Sequence, residues 1–397
     1  MEVSDLTIGM FVCRLDRPWE ETNFPLQGVE LASKDDLKTI RDLCKFVFID
    51  ARRELPSGRP HVLSRTKLSD SRFDGAISYR DKVVIEEELP RAREALQNAS
   101  TMVDRIFEDI TSGRELSIEY VEQAVRPLVA SVLRNADAFF WIEGLRHHDS
   151  YSYSHAIGCS ALAAAFGRHM GFSEETIISL AAGGLLMDVG KIRLPQELLQ
   201  YPGSLAPAEV ETMRLHVGYG LDIVNDSGIN DQDVLDIIRT HHERHDGSGY
   251  PDGLMGNVIP ITGRMLSIVD SYDAMASTRP YRAAISRHQA LRQIYSARDT
   301  LYQSELVEQF QVCLGVYPTG SLVELSTGEV AVVMAQNQVR RLRPQVVILS
   351  TPTRQPLNDF RQIDLMNPVR GSAAIDIVRS LAPSECGFNT TELFLQQ

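Results

Sequence analysis

Between about residue 149 and residue 315 the apolar residues recur at helical spacing almost without a break, and a strand pattern returns only afterwards, in GSLVELSTGEVAVVMAQN. A stretch of that length with a 3.6-residue period must build its core by packing helix on helix. After it, Val323 and Leu325 alternate with polar neighbours, STGE makes a turn and EVAVVM runs back, which predicts a β-hairpin, with PQVVILS as a third strand. Before it, long helices are expected near 81–112 and 117–134. The first 50 or so residues mix strand-like runs (GMFVCRL, KFVFID) with an amphipathic helix around SKDDLKTIRDLCK, capped by Ser33, and form a small α/β unit. Residues 56–75 are rich in turn formers and read as a mobile connection, and the final 30 residues carry no clear signal. At 397 residues the chain exceeds what one hydrophobic core usually supports. The expected division is an N-terminal accessory domain with linker and helices over 1–135, a helical domain over 136–317, and a β-hairpin segment with tail over 318–397.

Composition narrows the partners. A formal net charge of -13, with no Lys/Arg-rich block carrying interleaved aromatics, disfavours a nucleic acid polymer, although a pocket can be locally basic for a small phosphate. The five cysteines are scattered, odd in number and never spaced as CxxC, so neither a disulfide framework nor a structural zinc site is expected. No run approaches the roughly 18 apolar residues of a membrane span, and MEVSDLTIGM lacks the features of a signal peptide. A cytoplasmic protein fits these traits.

Chemistry concentrates in the helical block. In DVLDIIRTHHERHDG, Val234, Ile237 and Ile238 mark the inward stripe, and His241 and His242 follow Ile238 by three and four residues, at the border of the buried face. His155 and His216 fall in the same block. In GRMLSIVDSYDAM, Leu266, Val269, Asp270 and Asp273 share one helical stripe, so two carboxylates lie on an apolar face. A buried carboxylate needs a cation or strong donors, and Asp188, at the end of the apolar AAGGLLMDVGK stretch, raises the same demand. Imidazoles and carboxylates together are the donor mixture of iron, manganese or zinc sites, and two ions about 3.5–4 Å apart stabilise charge on a phosphoryl group. Lys191, Arg279 and Arg282 stand close in sequence to these groups and suit phosphate oxygens, the arginines by paired donors and the lysine as a point charge.

These motifs in this order resemble the HD-GYP domains, a branch of the HD-domain phosphohydrolases. DGSGYPDG carries Gly249-Tyr250-Pro251, and HHERHDG, GNVIPITGRMLSIVDSYDAM, STRPYR, YSHA, MDVGK, PGSLAPAEVETMRLHVGYG and the hairpin near Gly320 look like the other family signatures, over about 145–335. The segment VSDLTIGMFVCRLDRPWEETNFPLQG resembles an uncharacterised domain that often precedes HD-GYP modules in bacteria. The resemblance implies a mainly α protein: an all-helical HD-type metal phosphohydrolase bundle, with a small N-terminal α/β domain and a C-terminal β-rich segment. It implies two divalent ions, iron or manganese preferred, hydrolysis of cyclic di-GMP to pGpG or GMP, and contact of the GYP surface with diguanylate cyclases.

Residue by residue, the resemblance assigns His155 and Asp270 to the first metal, Asp188 to the bridge, and His216, His241 and His242 to the second metal. Lys191, Arg279 and Arg282 match phosphate-contacting positions, and Tyr250 matches a residue on the guanine side of the pocket. Two positions depart from the pattern. Met187 stands where the HD dyad has histidine, and a thioether is a poor donor to a hard ion. Tyr151 stands where members with a third metal carry glutamate, which argues against a trinuclear centre. His148, seven residues before His155, is a candidate to replace the lost ligand. Two readings follow: a metal-dependent phosphodiesterase, with Asp188 and Lys191 in its catalytic set, or a catalytically weak or inactive cyclic di-GMP sensor or cyclase-docking module.

Overall fold

The computed structural model of the chain describes residues 2–7, 10–16, 29–31, 34–49, 77–144, 151–277, 284–337, 340–367 and 375–386. Ser33, the connection at 56–75, His148, Arg279 and Arg282 lie outside the described residues, as does the side chain of Tyr151.

Near the N-terminus, β1 (Phe11–Leu15) pairs antiparallel with β2 (Val29–Glu30) and β3 (Val47–Ile49), and α1 (Lys34–Leu43) completes the unit. Its own small core joins Leu6, Val12, Leu31, Ile40 and Val47. Two long helices follow, α2 (Ile85–Thr111) and α3 (Ile118–Arg134), close to the expected ranges. They are locked by Glu88, buried, which accepts from both Nε and Nη2 of Arg134 at 2.7 Å and from Ser131 at 2.9 Å. Removing Arg134 would strand that carboxylate, at a cost of about 3 kcal/mol, the low end for a broken buried pair because the guanidinium keeps some solvent.

Then come α4 (Ala136–Gly144), α5 (Tyr151–Met170), α6 (Glu174–Leu186), α7 (Gln196–Leu199), α8 (Pro207–Arg214), α9 (His216–Asp226), α10 (Gln232–Thr240), α11 (Ile261–Ala276), α12 (Arg287–Ser296) and α13 (Ser304–Leu314). Helix α5 is buried on every side from His155 to Gly167, which its small and apolar sequence permits, so it forms the axis of the bundle. Among the described residues no helix is long and apolar enough to cross a membrane.

The predicted hairpin is β4 (Leu322–Leu325) with β5 (Val330–Ala335), and the predicted third strand is β6 (Gln345–Ser350). They are the middle of a five-stranded antiparallel sheet whose edges are β7 (Pro356–Asp364) and β8 (Ile377–Leu381), in the order β7-β6-β5-β4-β8. The last 30 residues hold a strand, β8, in a stretch whose sequence carries no clear signal. Strand period two divides the sheet: Val332, Met334, Val347 and Leu349 join the helical core, while Ala331, Val333, Val346 and Ile348 face a core of their own.

Candidate metal centre

Helix ends and one 3-10 turn position the donors. His155 lies in the first turns of α5, Asp188 at the junction of α6 with the turn Val189–Arg193, His216 at the start of α9, His241 and His242 just past α10, and Asp270 within α11. The turn at Asp188 presses on α9 so closely that a Cβ at Gly190 would collide with the His216 carbonyl oxygen. Only glycine lets Asp188 and His216 meet there.

The structure brings six of the sequence-singled residues into one cluster, as two donor sets sharing Asp188: His155, Asp188 and Asp270, and Asp188, His216, His241 and His242. In the second set, His216 Nε2 lies 3.5 Å from His241 Nε2. Asp188 Oδ1 is 3.5 Å from His216 Nε2 and 3.7 Å from His241 Nε2. His216 Nδ1–H donates to the Met213 carbonyl at 2.7 Å and His241 Nδ1–H to that of Ile238 at 2.9 Å. Those bonds fix the tautomer and leave both Nε2 lone pairs aimed at each other. Asp188 Oδ1 is buried with no hydrogen-bond partner among the described residues. Three electron-rich atoms facing one another without a proton between them repel, and a cation relieves this. Their spacing also suits one, because donors about 2.1 Å from an ion sit roughly 3–3.5 Å apart. The donors thus fit a divalent metal.

In the first set, His155 Nε2 lies 3.2 Å from Asp270 Oδ1 and 3.6 Å from Asp188 Oδ2. Its Nδ1 is 2.7 Å from Asp273 Oδ2. Asp273 is thus the carboxylate that orients His155, a role the sequence reading did not assign although Asp273 was placed on the same stripe as Asp270. Met187 is 1% exposed and belongs to the helical core.

Charge follows geometry. Burial raises the Asp188 carboxyl pKa, but Lys191, whose Nζ lies 2.5 Å from Oδ2, and the surrounding imidazoles hold it well below the usual range. Burial lowers His216 to about 4 and His242 well below its ordinary value, so both rings are neutral with lone pairs available. Burial also pulls on His155, yet the neighbouring Cys159 and the hydrogen bonds to Asp270 and Asp273 together lift it well above its ordinary value.

Tyr250 covers the second set. Its ring stacks on His242 with centroids 4.6 Å apart, and Arg214 lies over it at 4.8 Å. A Cβ at Gly249 would overlap the backbone of Glu243 and Arg244, so the loop can fold onto the end of α10 only with glycine there. Glu243, 1% exposed, fastens it: Oε1 accepts from Asp252 N at 2.8 Å and Oε2 from Leu254 N at 3.0 Å. The sequence reading missed Glu243, whose partners are set only when the loop returns.

A helical bundle presenting two His/Asp donor sets that share one carboxylate defines a metal-binding phosphohydrolase of the HD class. Residues 139–306 match the HD domain family, 1–121 a domain of unknown function, and 322–387 a KOW domain associated with HD domain. The chain is 30% identical over 358 residues to the cyclic di-GMP phosphodiesterase PA4108 of Pseudomonas aeruginosa, covering 89% of this chain and 86% of that one. It is 38% identical over 165 residues to a cyclic di-GMP phosphodiesterase of Thermotoga maritima, covering 41% of this chain and 45% of that one. A 3'3'-cGAMP-specific phosphodiesterase 2 of Vibrio cholerae is 37% identical over 154 residues, 38% of this chain and 29% of that one. The chain belongs to the HD-GYP family of HD-domain phosphodiesterases.

Proposed function

We propose that this chain hydrolyses cyclic di-GMP to pGpG, GMP or both, with two divalent ions, iron or manganese, held by His155, Asp188, His216, His241, His242 and Asp270. One observation carries the reading: Asp188 turns one oxygen to each donor set, and its Oδ1 is buried without a hydrogen bond among the described residues. Bound there, such ions would activate water and stabilise charge on the phosphoryl group. The chain's own groups do the remaining work. Lys191 holds Asp188 and, with its side chain 34% exposed, brings a positive charge within reach of a phosphate oxygen. The Tyr250 ring offers a face for a guanine base, and Arg279 and Arg282 supply forked donors by their match to the family's STRPYR motif. The relatives named for cyclic di-GMP support the substrate, and the one named for 3'3'-cGAMP makes that nucleotide the control. Cytoplasmic residence is supported by the thiols of Cys159, Cys313 and Cys386, which form no disulfide among the described residues.

A second reading, a weak or inactive sensor or a module that docks diguanylate cyclases through its GYP surface, is favoured by Met187, a core side chain at the position of the dyad histidine. Anaerobic purification with metal analysis, then chromatography of the products formed from cyclic di-GMP with excess iron or manganese, separates the two. Linear product supports the enzyme. Occupied metal with tightly bound, intact nucleotide supports the sensor and overturns the enzyme.

A further inference from the structure

A cavity of about 240 Å³ lies where residues Ile77–Asp81, helices α4, α5 and α13 and the connection from β5 to β6 meet, and none of the metal donors lines it. Three guanidinium groups reach its wall. Arg287 is engaged, donating to Glu143 at 3.1 Å and to the Thr319 carbonyl at 3.0 Å. Arg168 gives one Nη to Asp81 at 2.8 Å, while its Nε is buried without a partner among the described residues. Arg341 is partly buried and, among the described residues, makes no hydrogen bond or ion pair. Asp137 is the remaining carboxylate of the wall, and it is taken up by Thr319 Oγ1 at 2.5 Å and Gln336 N at 2.9 Å. The cavity therefore holds a cation drawn out of water that bonds no anion among the described residues, Asp137 acting on it only through space, an arrangement that a ligand can complete. Burial without a bonded anion also pulls the Arg341 guanidinium below its ordinary pKa.

Phe140, Leu162, Ala165 and Val312 give the wall an apolar side, and Ser78, His169 and Asn337 add polar groups to it. The volume falls just below the 300–1,000 Å³ typical of drug-sized ligand sites, so a cyclic dinucleotide is too large to be the occupant. We propose that this cavity binds a small oxyanion, a carboxylate or phosphate monoester on a compact apolar body, gripped by Arg341 and Arg168. The occupant would brace the first donor set. Ala165 stands on α5 about 15 Å along the helix from His155, and Tyr272, also in the wall, lies on α11 between Asp270 and Asp273. This site does not depend on which nucleotide the metal centre processes.

The test is calorimetric titration of the full chain, before and after EDTA treatment, with benzoate as the carboxylate probe and phenyl phosphate as the phosphate probe. Saturable binding of either probe is expected, with or without metal, and the probe that binds names the head group. Arg341→Gln should weaken it at least about tenfold, the scale of a lost charge-assisted hydrogen bond, while metal content stays unchanged. Arg341→Lys, which keeps the charge but not the fork, should fall between the two and guards against a folding defect in Arg341→Gln. The proposal is overturned if neither probe binds at millimolar concentration, if binding disappears with EDTA, or if Arg341→Gln binds as wild type does.

Discussion

The two donor sets differ in what holds their imidazoles. In the second set, the backbone does it: carbonyls of Met213 and Ile238 take the Nδ1 protons of His216 and His241, each three residues back along the chain. In the first set a side chain does it, with Asp273 taking the Nδ1 side of His155. A helix carbonyl is already in place when the helix forms and brings no net charge. A carboxylate must itself be buried and raises the ring's proton affinity; with Cys159 and Asp270 it lifts His155, while burial takes His216 down to about 4. The His216 ring is thus neutral and ready for a cation, whereas the first set is acid-rich and its His155 must shed a proton to receive one.

Breaking the comparison at its shared point should have the largest effect. Asp188→Ala removes the one carboxylate common to both sets, and we expect metal analysis to show both ions lost and turnover down by on the order of 10⁴-fold or more, the scale of removing one member of a unit. Retained metal would mean that the two sets do not share a ligand. Next, His216→Ala and His155→Ala should each cost one ion per chain. The ion that survives in His155→Ala should be the more tightly held, as read by competition with a chelator; the reverse order would refute the ranking of the sets.

Smaller effects sharpen the contrast. Asp273→Asn keeps the shape but withdraws the charge from His155, and should weaken the first site alone by about 10–100-fold, typical for the partner of a metal-bound histidine. Equal weakening of both sites would make Asp273 a general stabiliser. Met187→His should raise retained metal toward two ions per chain and lower the metal concentration needed for activity by roughly tenfold or less, a modest gain because Met187 is buried in the helical core and its replacement must repack. If the folded variant binds no more metal than wild type, Met187 is not what weakens the first site.

Long periodic segments were legible. The helices of the bundle and the β4–β5 hairpin announce themselves because their buried faces repeat over many residues. Strands β7 and β8 do not, since edge strands keep much of their surface in solvent and so lose the alternation that marks a strand. The donors were legible through their motifs, and periodicity placed Asp270 and both adjacent histidines at the buried face beforehand. Asp273 and Glu243 were harder. Each reads locally as an ordinary acidic residue, and each takes its meaning from a group brought near by folding, His155 on another helix or the backbone nine and eleven residues ahead.

The grip of Glu243 on the returning loop has an evolutionary side. His241, His242 and Glu243 are consecutive, so the residues that face the ions and the one that tethers the glycine turn share a single stretch of backbone. Lineages can lengthen most surface loops at little thermodynamic expense, but a residue inserted between Arg244 and Leu254 would shift the tether and be felt at the imidazoles. Length drift should therefore be tolerated in the connections between other helices and purged from this one.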